Sequence, residues 1–132
     1  MNNPFTYDIM VRGYELDSFN HVNNAVHLNY MEQARWDIAQ KLGLLDHFRE
    51  NQCFLVVVET SIRYKKELKM FDKVEIQTTI RKESPFLLFL HKLIKKENSA
   101  LVSKAKVKTL LVDSNRNPLD LPQEIDKWFY AK

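Results

Sequence analysis

Ten residues near the N-terminus, ELDSFNHVNN from Glu15 to Asn24, gather several reactive side chains directly ahead of a long helical pattern. Asp17 offers a carboxylate, His21 an imidazole, and Asn20, Asn23 and Asn24 carry amides. Three chemistries use such a set. A short polar side chain before a helix caps it by accepting a first-turn amide proton. Acids and imidazoles together hold metals, but Glu15, Asp17, His21 and His27 match no compact zinc spacing. A carboxylate beside a helix N-terminus is also a general base or nucleophile, facing free amides that polarise a carbonyl oxygen.

The elements that must position these residues follow from periodicity. FTYDIMVR alternates Phe5, Tyr7, Ile9 and Val11 against Thr6, Asp8, Met10 and Arg12, which predicts a strand with one wetter face. From about Ala25 to Leu42 there is neither Pro nor Gly, and Gly43 stands where a helix C-cap is expected. On that helix Leu28, Met31, Ala34, Ile38 and Leu42 share one side, with Arg35 beside the stripe and Trp36 among polar residues. Those two exceptions predict a helix covered on more than one side. Glu32 and Arg35, one turn apart, are expected to form an ion pair.

A short amphipathic piece, LLDHFREN, precedes four strand-like runs: FLVVVETSIRYKK, KVEIQTTIRK, FLLFLHKLIKKE and LVSKAKVKTLLVD. Val74, Ile76, Thr78 and Ile80 alternate with charged and polar residues, and Lys104, Lys106 and Lys108 alternate with Ser103, Ala105, Val107 and Thr109. Such alternation marks antiparallel strands with one solvated face. Ser84-Pro85 and Glu97-Asn98-Ser99 are turns, and PQEIDKW predicts a short C-terminal helix starting near Pro122. The order predicts an α+β fold over residues 1–132 as one domain, with about five antiparallel strands against one long helix.

Composition narrows the functional classes. At 132 residues, 45% hydrophobic and 28% charged, the chain reads as one globular domain. No apolar run approaches the roughly 18 residues of a membrane span, and the N-terminus lacks the pattern of a secretory signal. Cys53 is the single cysteine, so an internal disulfide is excluded and a reducing, cytoplasmic setting is expected. It precedes an apolar strand, as a buried small residue does. A net charge of +3 is too mild for nucleic acid but leaves room for a locally steered anion. Gly13 and Gly43 are the only glycines, which excludes Gly-rich nucleotide loops.

VRGYELDSFNHVNNAVHLNYMEQAR resembles the signature of hotdog-fold acyl thioesterases of the 4-hydroxybenzoyl-CoA thioesterase type. Bacterial members and plant acyl-ACP thioesterases share a D-x-x-x-H-V-N-N-x pattern leading into the central helix. It is matched by Asp17, His21, Val22, Asn23 and Asn24, with Glu32, Ala34 and Arg35 following in the bacterial style. The order of elements and the YKKELKMFD connection around Asp72 fit as well. Three positions depart. Asn20 replaces a common glycine, and Asn tolerates left-handed backbone better than other non-Gly residues. Phe19 stands where the plant enzymes have an asparagine, and His27 where tyrosine is common.

The resemblance implies a hotdog sheet wrapped around the long helix. It further implies hydrolysis of an acyl-CoA to free acid and CoA, without metal or other cofactor. Asp17 is then base or nucleophile, His21 its companion, and the backbone near Asn24, flanked by Val22 and Asn23, the carbonyl-oxygen donor. A thiolate leaving group needs little protonation near neutral pH. Family architecture implies a homodimer or homotetramer paired through FLVVVETSIRYKK, with Val57, Glu59, Thr60 and Ser61 lining the partner's acyl tunnel. An acyl-ACP thioesterase and a non-catalytic acyl-thioester binding module are the competing classes.

Overall fold

Period-two alternation makes the sheet. The structure, a computed structural model, describes residues 4–123, 125 and 126. Its strands are β1 (Phe5–Met10), β2 (Cys53–Tyr64), β3 (Lys73–Glu83), β4 (Phe86–Lys95) and β5 (Ala100–Asp113). They pair antiparallel in the order β1-β3-β4-β5-β2, so β1 and β2 are the edges. Two helices, α1 (Asn24–Lys41) and α2 (Leu44–Asn51), lie between β1 and β2 in sequence, after a 3-10 turn at Gly13–Glu15. Leu42 caps α1, and Gly43 at φ +73° makes the left-handed break into α2, a conformation that suits glycine. This is the hotdog arrangement expected from the sequence.

Along α1 the buried residues are His27, Tyr30, Met31, Ala34, Ile38 and Ala39. Their spacing defines a stripe facing the sheet. Met31 and Ala34 pack with Val74, Ile76, Leu93, Val102 and Ala105, and Ile38 and Ala39 pack with Ile80, Leu87, Phe89 and Val107. Each large apolar side chain buried in this way contributes about 1.5–3 kcal/mol. Trp36 remains 54% exposed on the flank that the chain's own sheet does not cover. Of the expected C-terminal helix, Pro122 and Gln123 form a turn ahead of the helical Ile125 and Asp126, and Ile125 is buried in the cluster that holds Phe5 and Leu87; Glu124, Lys127 and Trp128 lie outside the described residues.

β2 carries a bulge between Val57 and Glu59. Before it Cys53, Leu55 and Val57 stand on the helix side; after it Thr60, Ile62 and Tyr64 do, because the extra residue, Val58, inverts the alternation. Val57 and Val58 are each about half exposed on this edge.

Two imidazoles sit between α1 and the sheet. His91 Nε2 lies 3.1 Å from Arg35 Nη1, and its Nδ1 lies 2.8 Å from Thr78 Oγ1. A guanidinium only donates, so Nε2 accepts and Nδ1–H donates to Thr78. The expected Glu32–Arg35 ion pair is therefore corrected: Arg35 turns inward to His91, and Glu32 accepts from Trp36 Nε1 at 3.4 Å. His27 Nδ1 meets Ser103 Oγ at 2.9 Å.

Burial lowers the His27 pKa to about 4, and burial with the Arg35 charge lowers that of His91 to about 3. Both rings stay neutral in the folded chain while the unfolded chain protonates them below about 6.5. Stability is thus kept above pH 6.5 and lost as pH falls toward 4, by about 2 kcal/mol per imidazole between pH 7 and pH 5. Urea titration at those two pH values is expected to show about 4 kcal/mol lost in the native chain. His91→Gln, which keeps an acceptor for Arg35, is expected to show about half that loss; equal midpoints at both pH values in the native chain would contradict this account.

Candidate active site

The stretch from Glu15 to Asn24 is held as a tight loop whose two ends meet. Leu16 and Val22 form an isolated antiparallel bridge, and the Asp17 amide donates to the His21 carbonyl at 2.8 Å. Asn20 adopts φ +64°, the left-handed conformation that its short polar side chain permits. Asp17 Oδ1 accepts from the Phe19 amide at 2.9 Å and from the His21 amide at 3.2 Å. Among the described residues no donor reaches the second carboxylate oxygen, Oδ2. The carboxylate is thus half tied and half free.

Behind this loop lies Glu15, only 5% exposed. Its Oε1 accepts from the Tyr30 hydroxyl at 2.6 Å and from the Arg12 amide at 2.8 Å. Its Oε2 accepts from Arg12 Nε at 3.0 Å and Nη2 at 2.6 Å. Its backbone carbonyl takes the Asn23 amide at 3.0 Å. Burial raises the Glu15 pKa, but the bonds from Arg12 and Tyr30 outweigh it and hold the carboxyl below its ordinary value.

Asn23 is the N-cap of α1, its side chain accepting from the Ala25 amide at 2.9 Å. The Val26 amide is taken by the Asn23 carbonyl at 2.9 Å. The Asn24 amide, first in the helix, has no acceptor among the described residues. The Asn24 carbonyl accepts from the Tyr64 hydroxyl at 2.9 Å, which pins the helix start to the end of β2. The Tyr64 ring meets His27 edge-on, with centroids 5.0 Å apart.

Asp17, His21, Asn24, His27, Tyr64 and Lys66 line one open cavity of about 670 Å³, with Val22, Phe19 and Lys65 also on its wall. The structure therefore brings Asp17, His21, Val22 and Asn24 together. It leaves Asn23 off that wall, as a cap. His21 touches Asp17 only through backbone, and its Nε2 lies 3.1 Å from Glu67 Oε2.

The expected tunnel residues of β2 divide between faces. Thr60 stands opposite Val107 on the helix side, and Val57 lines a second cavity of about 190 Å³ with Arg35, Trp36 and Phe48. Glu59 and Ser61 stand on the opposite face from Thr60. Glu59 lies 3.5 Å from Lys108 and Ser61 lines a cavity on the outer face, because the bulge at Val58 turns both away from the helix. Among the described residues, no group of three His, Cys, Asp or Glu side chains is arranged to hold a metal. No described helix is long and apolar enough to cross a membrane. Tyr64, Glu67 and Tyr30 were not legible as site residues; YKKE reads as an ordinary polar strand end, and Tyr30 as helix core.

A hotdog sheet with a carboxylate and an open helix amide on one cavity is the architecture of proteins that handle acyl thioesters. The profile described as the Thioesterase-like superfamily matches residues 11–129, and the chain belongs to that superfamily. It is 27% identical to the acyl-acyl carrier protein thioesterase ATL3 of Arabidopsis thaliana over 124 residues, 92% of this chain and 65% of that protein. It is 34% identical to the long-chain acyl-CoA thioesterase FadM of Escherichia coli over 73 residues, 55% of each. The chain thus spans less than two thirds of either relative's length. Among solved structures, YbaW, a probable thioesterase from Escherichia coli, superposes with a TM-score of 0.84 at 25% identity, covering 93% of this chain and 94% of that one.

Tyr30→Phe removes one donor from a buried carboxylate and is expected to cost about 1.5–3 kcal/mol. Chemical denaturation checks this; a cost near zero would show that Arg12 alone satisfies Glu15.

Proposed function

We propose that this chain hydrolyses acyl thioesters to a free acid and a thiol. The observation that carries the reading is that Asp17, whose Oδ2 meets no donor among the described residues, and Asn24, whose N–H meets no acceptor among them, line one open cavity. Asp17 acts as general base toward water or as nucleophile on the carbonyl carbon. The Asn24 amide, at the positive end of α1, takes the developing charge on the carbonyl oxygen. The thiolate departs without a dedicated acid, so no triad, metal or prosthetic group is used. Asn23 serves by satisfying Ala25, which leaves the helix mouth ordered around the Asn24 amide.

Acyl-CoA is one substrate, coenzyme A entering only as part of it, and acyl carrier protein supplies the same reactive arm. The relatives named for each carrier support both. A homodimer joined through the β2 edges is part of this reading, supported by the exposure of Phe54, Val57, Val58 and Tyr64 along a twelve-residue edge strand. A homotetramer would be built from such dimers. The single, buried Cys53 suits a reducing cytoplasm.

The test is thiol release from acyl-CoAs of varied chain length, beside Asp17→Asn. The substitution keeps an Oδ1 acceptor for Phe19 and His21 and is expected to lower kcat by about 10²–10⁴. Turnover near that of the native chain would rule out the role of Asp17. Saturable acyl-CoA binding without thiol release would instead identify a non-catalytic binding module.

A further inference from the structure

The outer face of the sheet, opposite α1, carries a row of like charges. Arg63 on β2 stands directly opposite Lys104 on β5, and Lys104 stands directly opposite Lys92 on β4. Like charges in directly opposed positions destabilise a sheet, and here Lys104 has one on each side. Lys106 adds a fourth cation one row along, opposite Ser61. All four are exposed, and none has a carboxylate within ion-pair distance among the described residues. They border an open hollow of about 450 Å³ whose walls include Ser61, Gln77 and Thr79 and no acidic residue. The nearest acid along β3, Glu75, already accepts from Gln77 at 2.9 Å, and Glu59 is engaged by Lys108.

We propose that this face docks the acidic helix of an acyl carrier protein. Neighbouring strands lie about 4.8 Å apart, so Arg63, Lys104 and Lys92 form a ladder of about 10 Å with evenly spaced charges. Carboxylates at i, i+4 and i+7 on one helix face follow one another at about 5–6 Å and span about 10 Å, which matches that ladder. The charges stand in a spread row rather than converging on one point, as an extended acidic surface requires. No Phe, Tyr or Trp lines the hollow to stack a nucleotide base, and the one imidazole on its wall, His91, is buried and held by Arg35 and Thr78. A second copy of this face would bring the same cations against it, so copies do not stack sheet to sheet through it.

The face also leads to the thioester cavity. Arg63 precedes Tyr64, Lys65 and Lys66 on the same chain, and those three line the wall around Asp17. A carrier docked on the outer face presents its arm at the end of β2, where the cavity opens. This inference rests on the thioester-hydrolase reading for its biological meaning and makes the protein carrier the preferred one.

The test uses the whole chain and its double charge reversal, K104E with K106E. A fluorescently labelled acyl carrier protein is titrated with each and followed by anisotropy, a readout that needs no turnover. The native chain is expected to bind saturably, with affinity falling steeply as salt rises, and the reversal to raise Kd at least ~10-fold. KM for the same acyl group on CoA is expected to stay within about twofold, since these cations lie outside the cavity. Equal carrier affinity for both chains, or no saturable carrier binding, would overturn the proposal. A matching loss for acyl-CoA and for free 3′,5′-ADP would overturn it in favour of a nucleotide-phosphate site. Carrier binding without hydrolysis of any thioester would leave the docking face standing and remove the catalytic reading instead.

Discussion

The buried Glu15 carboxylate is the constraint from which the rest of the site hangs. Its residue ties three pieces of chain together: the exit from β1 through Arg12 and the middle of α1 through Tyr30 on the carboxylate, and the start of the helix through the backbone carbonyl to Asn23. A carboxylate buried without such partners would shift its pKa and neutralise. With four donors it remains an anion, and its geometry is fixed by all of them at once. Removing one partner of such a group costs more than the bond itself, since charge is left in a poorly solvated place. That cost is what holds the mouth of α1 against the turn carrying Asp17.

Against that satisfied background, the reactive groups are defined by what remains unmet. Most polar atoms around the helix start have partners: Asp17 Oδ1, the Ala25 and Val26 amides, the Asn24 carbonyl and His27 Nδ1. Among the described residues, Asp17 Oδ2 and the Asn24 N–H are left as an acceptor and a donor on two residues that line one cavity. Preorganisation of this kind needs no movement when charge develops on a carbonyl oxygen. His21 takes a different place from the one its position in the motif suggests. Its amide steadies Asp17 while its ring faces Glu67, so it acts on the loop and on the charge at the rim.

The strands and the long helix were legible because burial writes a local period into sequence: Val74 to Ile80 and Ser103 to Thr109 alternate as their buried faces require. The Asn20 turn and the Asn23 cap were legible for the same reason, since both are settled within a few residues. Contacts between distant elements were not. His91 lies 56 residues from Arg35, and nothing local marks the pair, so a nearby glutamate was the natural partner for Arg35. Tyr64 reaches Asn24 across 40 residues. The face that Glu59 and Ser61 occupy was not legible either, because a bulge leaves no clear mark in a run of valines.

That bulge has a consequence for how the protein can diverge. The half of β2 before Val58 and the half after it are read in different frames, and the second half carries Tyr64 inward and Arg63 outward. Loss or gain of a single residue near Val58 would exchange those two side chains, unmaking the cavity wall and the cationic ladder in one event. Substitutions along the strand can be accumulated one at a time, but its length cannot drift. Lineages that retain the site must retain the count of residues between Val57 and Tyr64, even where the identities of those residues change.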